Sequence, residues 1–332
     1  MTNEPNRYQT LAHDPTGDGI GRSIETPVAD DHDRRPPNRY KLLARGFNKR
    51  VFSLLNPDGY YRHGIDLFAE DWDNCIILDA CRYDMLAAAT HSLGPVDSRR
   101  SRGSGTKQFL RANLHGKQLL DTVYVTANPQ LCKHREEISV AFYAEDDVWR
   151  DGWDTSHKTV TPEILTERAL AAADRYPEKR LLVHYMQPHY PFIGSPHDFD
   201  KQGHIFESKY SFWREQFLGM RTIPTDIVWK YYAQNLDIVL PSVEQLVAAL
   251  PGKTVVTADH GNMVGERAWP IPIREWGHPT GIYTEQLVTV PWVVCENGPR
   301  KTIVAGDTQP TTQQQAIHEE LLRQRLSELG YV

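Results

Sequence analysis

From residue 74 onward the chain alternates short, apolar, β-branched runs with stretches of helical periodicity, and this alternation constrains the fold more than any other feature. Residues 74–80 (NCIILDA), 122–127 (TVYVTA), 180–186 (RLLVHYM), 254–258 (TVVTA) and 287–295 (LVTVPWVVC) read as strands. Short runs this apolar and this poor in charge suit strands buried on both faces of a parallel sheet. Between them, residues 82–90, 161–176 and 226–250 read as helices, the second with Thr161 as N-cap and Pro162 at its first position, the third carrying Pro241. The pattern implies an α/β fold: a mostly parallel central sheet with helices on both faces, in a single large domain. A chain of 332 residues that is 40% hydrophobic can bury such a core.

The chain before residue 74 has a different character. Residues 1–38 are rich in Asp, Arg, Pro, Asn, Gly and Thr and are expected to form a disordered tail. Residues 39–73 then read as an N-terminal helix and lead-in to a catalytic domain over 74–332. In KLLARGFNKRVFSLL (41–55), Leu42, Leu43, Phe47, Val51, Leu54 and Leu55 fall at helical spacing beside Lys41, Arg45, Lys49 and Arg50. Such a helix packs on its own domain or lies on an anionic membrane surface. A net charge of -6 argues against a broad nucleic-acid surface. Cys75, Cys81, Cys132 and Cys295 are scattered, without CxxC spacing, so neither a structural zinc site nor a disulfide framework is indicated. No basic-plus-apolar leader and no apolar run of roughly 20 residues is present, and the expected location is cytoplasmic.

The ends of the strands carry the chemistry. The strand at 74–80 ends on Asp79, with Arg82 just beyond; the strand at 180–186 contains His184 and runs into His189; the strand at 254–258 ends on Asp259-His260. In open α/β sheets the carboxyl edge is where ligands bind. Two carboxylates brought together repel unless a cation lies between them, so Asp79, Asp259 and His260 suggest a divalent-metal site. The alternative for Asp259-His260 alone is a helix cap beside an ordinary histidine.

Four motifs, ILDACRYD, HYMQPHYPF, TADHGNMVGE and GHPTGIYTEQLVTVPWVV, stand in one order over about residues 74 to 296, and in that order the chain resembles the alkaline phosphatase and sulfatase superfamily. The resemblance implies that Asp79, Asp259 and His260 bind metal and that a Thr, a Ser or a modified Cys at a helix N-terminus is the nucleophile. In SRGSGTKQFL, Thr106 follows two glycines at the start of a helical stretch, where backbone N–H groups hold an anion. Thr106 is therefore the implied nucleophile and a further metal ligand; Ser104 is the fallback, and an ordinary N-cap is the plain alternative. Cys81 lacks the Cys-x-Pro-x-Arg pattern of formylglycine sulfatases, since Arg82, Tyr83, Asp84 and Met85 follow it. That favours phosphate over sulfate esters. His189 is the implied acid or substrate ligand, and Arg82, His184 and His278 are further metal or substrate candidates. The implied cofactor is one divalent ion (Zn, Mn, Mg or Ca). The implied substrate is a small-molecule or glycan- or lipid-linked phosphate or sulfate ester, with no nucleic acid. The function that follows is a metal-dependent phosphoester hydrolase or phosphoryl or phospho-alcohol transferase with a covalent Thr intermediate. A sulfatase-like hydrolase is one alternative. A non-catalytic anion- or glycan-binding protein is another, because Asp79 stands alone where many sulfatases have a doubled Asp.

Overall fold

The computed structural model describes residues 38–195, 211–220, 222–307 and 319–331. The expected tail lies outside the described residues except for its last residue, Asn38. Eleven strands are present among them: β1 Asn74–Leu78, β2 Asp97–Arg100, β3 Gln118–Thr126, β4 Ala141–Asp147, β5 Trp153–Asp154, β6 Thr159–Val160, β7 Arg180–Tyr185, β8 Gly252–Thr257, β9 Met263–Arg267, β10 Arg274–Gly277 and β11 Thr289–Asn297. Seven form one sheet in the order β2-β11-β8-β1-β7-β3-β4. The five from β8 to β4 run parallel, and β11 is antiparallel to both β8 and β2. The sheet is thus mixed, with a mostly parallel centre.

Alternate residues of the central strands enter different cores. Ile76 and Leu78 of β1, Val123 and Val125 of β3 and Leu181 and Val183 of β7 pack with the helices Pro162–Arg175 and Thr225–Ala249. Cys75, Ile77, Tyr124, Leu182 and Val255 pack on the other face against α3 (Thr106–Leu114). Helices α1 (Arg39–Leu55) and α2 (Tyr83–Ala88) complete the first face. Both faces are therefore covered, which is why the middles of these strands carry apolar residues on both faces. Two strands of this sheet escaped the sequence reading, β2 and β4, as did the short pairs β5–β6 and β9–β10. The acidic run of β4 is accommodated by arginines: Arg135 binds Glu145, Arg168 binds Asp146 and Arg150 binds Asp147.

Candidate active site

The parallel order brings the carboxyl ends of β3, β7, β1 and β8 side by side. Asp79 is the first residue past β1, His184 is the penultimate residue of β7 and lies beside Ile77, and Asp259 and His260 follow β8. Local backbone geometry aims these groups. Ala80 adopts φ +60°, a left-handed conformation that disfavours a residue with a Cβ. Its amide donates to Asp259 Oδ1 at 2.9 Å, and Tyr232 Oη donates to its carbonyl. The same carboxylate oxygen accepts from the His260 amide at 2.8 Å. The glycine of the DHG motif has a steric reason: a Cβ on Gly261 would meet Gln286 O at 2.0 Å. Gly103, in the loop before Thr106, is equally constrained, since its Cβ would lie 2.5 Å from the Phe109 amide nitrogen.

Thr106 is the first residue of α3 and Gly105 caps the helix, so the threonine side chain is not spent on capping. Its Oγ1 lies 3.3 Å from Asp79 Oδ2 and 3.2 Å from His260 Nε2. His260 Nε2 is in turn 3.2 Å from Asp259 Oδ2 and 3.8 Å from Asp79 Oδ1. His184 Nε2 is 3.5 Å from Asp79 Oδ2. One ligand atom each from Asp79, His184 and Asp259 lies within 4.8 Å of the others, all three residues being buried. Residues 180 positions apart in the chain thus converge on one point.

Burial sets the charge state of the cluster. It pushes Asp79 up to about 7, against hydrogen bonds from Asn128, Tyr331 and Thr106 that favour the anion. Asp259 is also pushed up to about 7, by burial and then by the charge of Asp79. Burial pulls His184 down to about 4 and His260 down to about 3, so both imidazoles are neutral at pH 7. His260 Nδ1 donates to Gly261 O at 2.7 Å, which leaves Nε2 as a bare acceptor directed at the cluster. His184 Nδ1 contacts Tyr124 Oη at 3.0 Å, a partner able to accept its proton and free Nε2 in the same way.

The donor set fits a divalent cation. Asp79 Oδ1, Asp259 Oδ2 and His184 Nε2 are buried without a hydrogen-bond partner, although buried polar atoms are ordinarily satisfied. Two carboxylates and two neutral imidazoles, with a hydroxyl beside them, are oxygen and nitrogen donors suited to such an ion.

The remaining candidates are distributed around this point. His189 Nε2 and His278 Nε2 are 2.9 Å apart, and the His278 ring lies 4.6 Å from that of His260. His189 Nδ1 donates to Tyr190 O, so the proton between the two Nε2 atoms belongs to His278. Arg82 is engaged elsewhere: it binds Asp84 and Glu266, donates to Asn262 O at 3.2 Å and lies 4.8 Å from the Trp229 ring. Ser104 Oγ contacts Gln108 and accepts from the Gly281 amide at 2.9 Å. Cys81 is fully buried and burial raises its thiol pKa strongly, so it is a packed thiol.

Two site residues escaped the sequence reading. Asn128, two residues past β3, donates from Nδ2 to Asp79 Oδ2 at 2.5 Å, and its Oδ1 accepts from the Gln130 amide at 2.8 Å, which fixes the orientation of the amide. Its place after an apolar strand is the signal that could have found it. Tyr331 follows the helix Glu319–Glu328 and Gly330, which has φ +78°. Its amide bonds Leu326 O while the Gly330 amide bonds Ser327 O, a Schellman ending that turns the chain inward. The phenol Oη donates to Asp79 Oδ2 at 3.3 Å and lies 3.3 Å from Thr106 Oγ1, with the ring stacked on His189. Nothing in the local sequence signals this.

No family model matches the chain, and no curated protein matches it. Solved structures do. It is similar to the C-terminal periplasmic domain of EcEptC from Escherichia coli in complex with Zn (12% identity, 70% of this chain and 75% of that one, TM-score 0.43). It is similar to the phosphonate monoester hydrolase SpPMH from Silicibacter pomeroyi (13%, 77% and 72%, 0.40). A third is the Streptococcus pyogenes phosphoglycerol transferase GacH in complex with sn-glycerol-1-phosphate (9%, 90% and 94%, 0.35). The expectation of a cytoplasmic location is corrected here, because the EcEptC structure is a periplasmic domain. No described helix is long and apolar enough to cross a membrane, and that does not fix a compartment.

Proposed function

We propose that this chain is a divalent-metal-dependent phosphoester hydrolase or phosphotransferase that works through a covalent Thr106 intermediate. The observation that carries the reading is the placement of Thr106 Oγ1, at a helix N-terminus, within 3.3 Å of both Asp79 and His260 in a cluster whose buried donor atoms lack partners. Asp79, Asp259, His260 and His184 would hold the ion. A divalent cation bound there would lower the pKa of an adjacent hydroxyl and offset charge on the transferred group.

The chain's own groups define the remaining steps. Thr106 Oγ forms a bond to phosphorus as the ester P–O bond breaks. Its proton leaves to Asp79 Oδ2, 3.3 Å away, because the His260 Nε2 lone pair would be committed to the ion. The departing oxygen accepts a hydrogen bond from the His189–His278 pair, whose neutral imidazoles hold one proton between their two Nε2 atoms, and takes its own proton from water. Water or an alcohol then attacks phosphorus, breaking the bond to Thr106 Oγ and restoring the hydroxyl. The first amides of α3 supply donors for the phosphoryl oxygens. Cys81 offers no formylglycine route, which supports phosphate over sulfate. The test is acid quenching during turnover of an aryl phosphate with Mn²⁺ or Zn²⁺ and mass spectrometry of the Thr106 peptide. A phosphorylated peptide is expected. Turnover by Thr106→Ala, or faster hydrolysis of the matching aryl sulfate, overturns the reading.

A further inference from the structure

Helix α1 has two unlike faces. Inward, Ala44, Asn48 and Phe52 are buried, Arg45 pairs with Glu275, Lys41 Nζ donates to Phe217 O at 2.7 Å, and Asn48 exchanges hydrogen bonds with the backbone of Ile271. The helix is thereby anchored on the domain. Outward, Tyr40, Leu43, Phe47 and Leu54 recur at spacings of three, four and seven residues and form one stripe. They are 63%, 75%, 55% and 75% exposed. Of nine exposed large hydrophobic residues among those described, six lie on this one helix, and a seventh, Trp269, packs edge-on against its Phe52 with ring centroids 6.1 Å apart. Isolated exposed apolar residues need no explanation, whereas a contiguous group marks an interaction surface.

Charge selects the occupant. The helix contains no acidic residue, and its exposed Arg39 and Arg50 flank the apolar stripe, in a protein whose net charge is -6. A basic-flanked apolar stripe with aromatic residues matches an interface where acyl chains meet anionic headgroups. A second copy of the chain would bring Arg39 and Arg50 toward like charges. Helix α1, 17 residues long, is not long and apolar enough to span a bilayer, so its own contact is along the surface. We infer that α1 docks the protein on an anionic lipid surface, with Tyr40, Leu43, Phe47 and Leu54 entering the interface and Arg39 and Arg50 meeting the headgroups. This inference stands independently of the proposed catalytic reaction.

The test is sedimentation of the full chain with vesicles of phosphatidylcholine alone and with one-third phosphatidylglycerol. Co-sedimentation with the anionic vesicles and little with the neutral ones is expected. Each of Arg39→Gln and Arg50→Gln should weaken partition about fivefold. The double variant Leu43→Asp/Phe47→Asp should weaken it more than tenfold, with the circular dichroism spectrum unchanged because both side chains are exposed. Failure to bind anionic vesicles overturns the inference, as does undiminished binding by the double variant. A dimer in sedimentation velocity that the double variant dissociates, without vesicle binding, assigns the stripe to a second copy instead.

Discussion

Replacing Asp259 by Asn separates what the carboxylate does for the fold from what it does for a cation. In the metal-free protein, burial and the neighbouring Asp79 raise Asp259 from 3.8 to about 7. Holding it ionised above pH 7 therefore costs about three pKa units, or on the order of 4 kcal/mol at 1.36 kcal/mol per unit. Asparagine keeps the acceptor for the Ala80 and His260 amides, and places a donor amide where Oδ2 lay, 3.2 Å from the bare His260 Nε2. Asp259→Asn should thus stabilise the metal-free protein at pH 8 by about 2 to 4 kcal/mol, a rise of the order of 5 °C or more in melting temperature. The same change removes one of two anionic ligands. The wild type should gain about 2.7 kcal/mol at a cation concentration one hundred times Kd, and the variant almost nothing. Differential scanning calorimetry at pH 8 with EDTA, and again with Mn²⁺ or Zn²⁺, reads both effects. A variant less stable than the wild type in EDTA, or one that keeps the full cation-dependent shift, would refute the assignment of these carboxylates to a shared metal.

Thr106→Ala should reduce aryl phosphate turnover by several orders of magnitude, whereas Cys81→Ala should keep most of it and lose about 1 kcal/mol of stability, by steady-state kinetics and thermal melts. Cation affinity should rise with pH up to about 7 and level off above, because Asp79 and Asp259, both raised to about 7, hold protons that the ion must displace at lower pH; isothermal titration between pH 5.5 and 8.5 reads the slope. Asn128→Ala removes the Nδ2 donor that holds Asp79 Oδ2, and should weaken cation binding about 10- to 100-fold with little change in the circular dichroism spectrum.

The sequence by itself determined the elements whose signal is local. Strands buried on both faces carry apolar residues on both, and their carboxyl ends are followed by Asp79, Asp259 and His260, so the α/β class and the position of those three residues at the sheet edge were legible from period and chain direction. The position of Thr106 at a helix N-terminus was legible for a related reason, since glycines precede a helical run, whereas its role as nucleophile came only from the family resemblance. Tertiary structure alone decided the partners. The acidic strand β4 is stable because Arg135, Arg150 and Arg168 reach it from other elements, a compensation that periodicity does not register. Packing likewise directed Arg82 to Asp84 and Glu266 and paired His189 with His278, although all three stood equally near strand ends or loops in the sequence. Tyr331 reaches Asp79 across 252 positions because a Schellman turn and the docked helix before it fix the direction of one side chain. Periodicity reports which face of an element is buried; which atom meets which is set by sheet order and helix docking, where contacts distant in the chain are made at once.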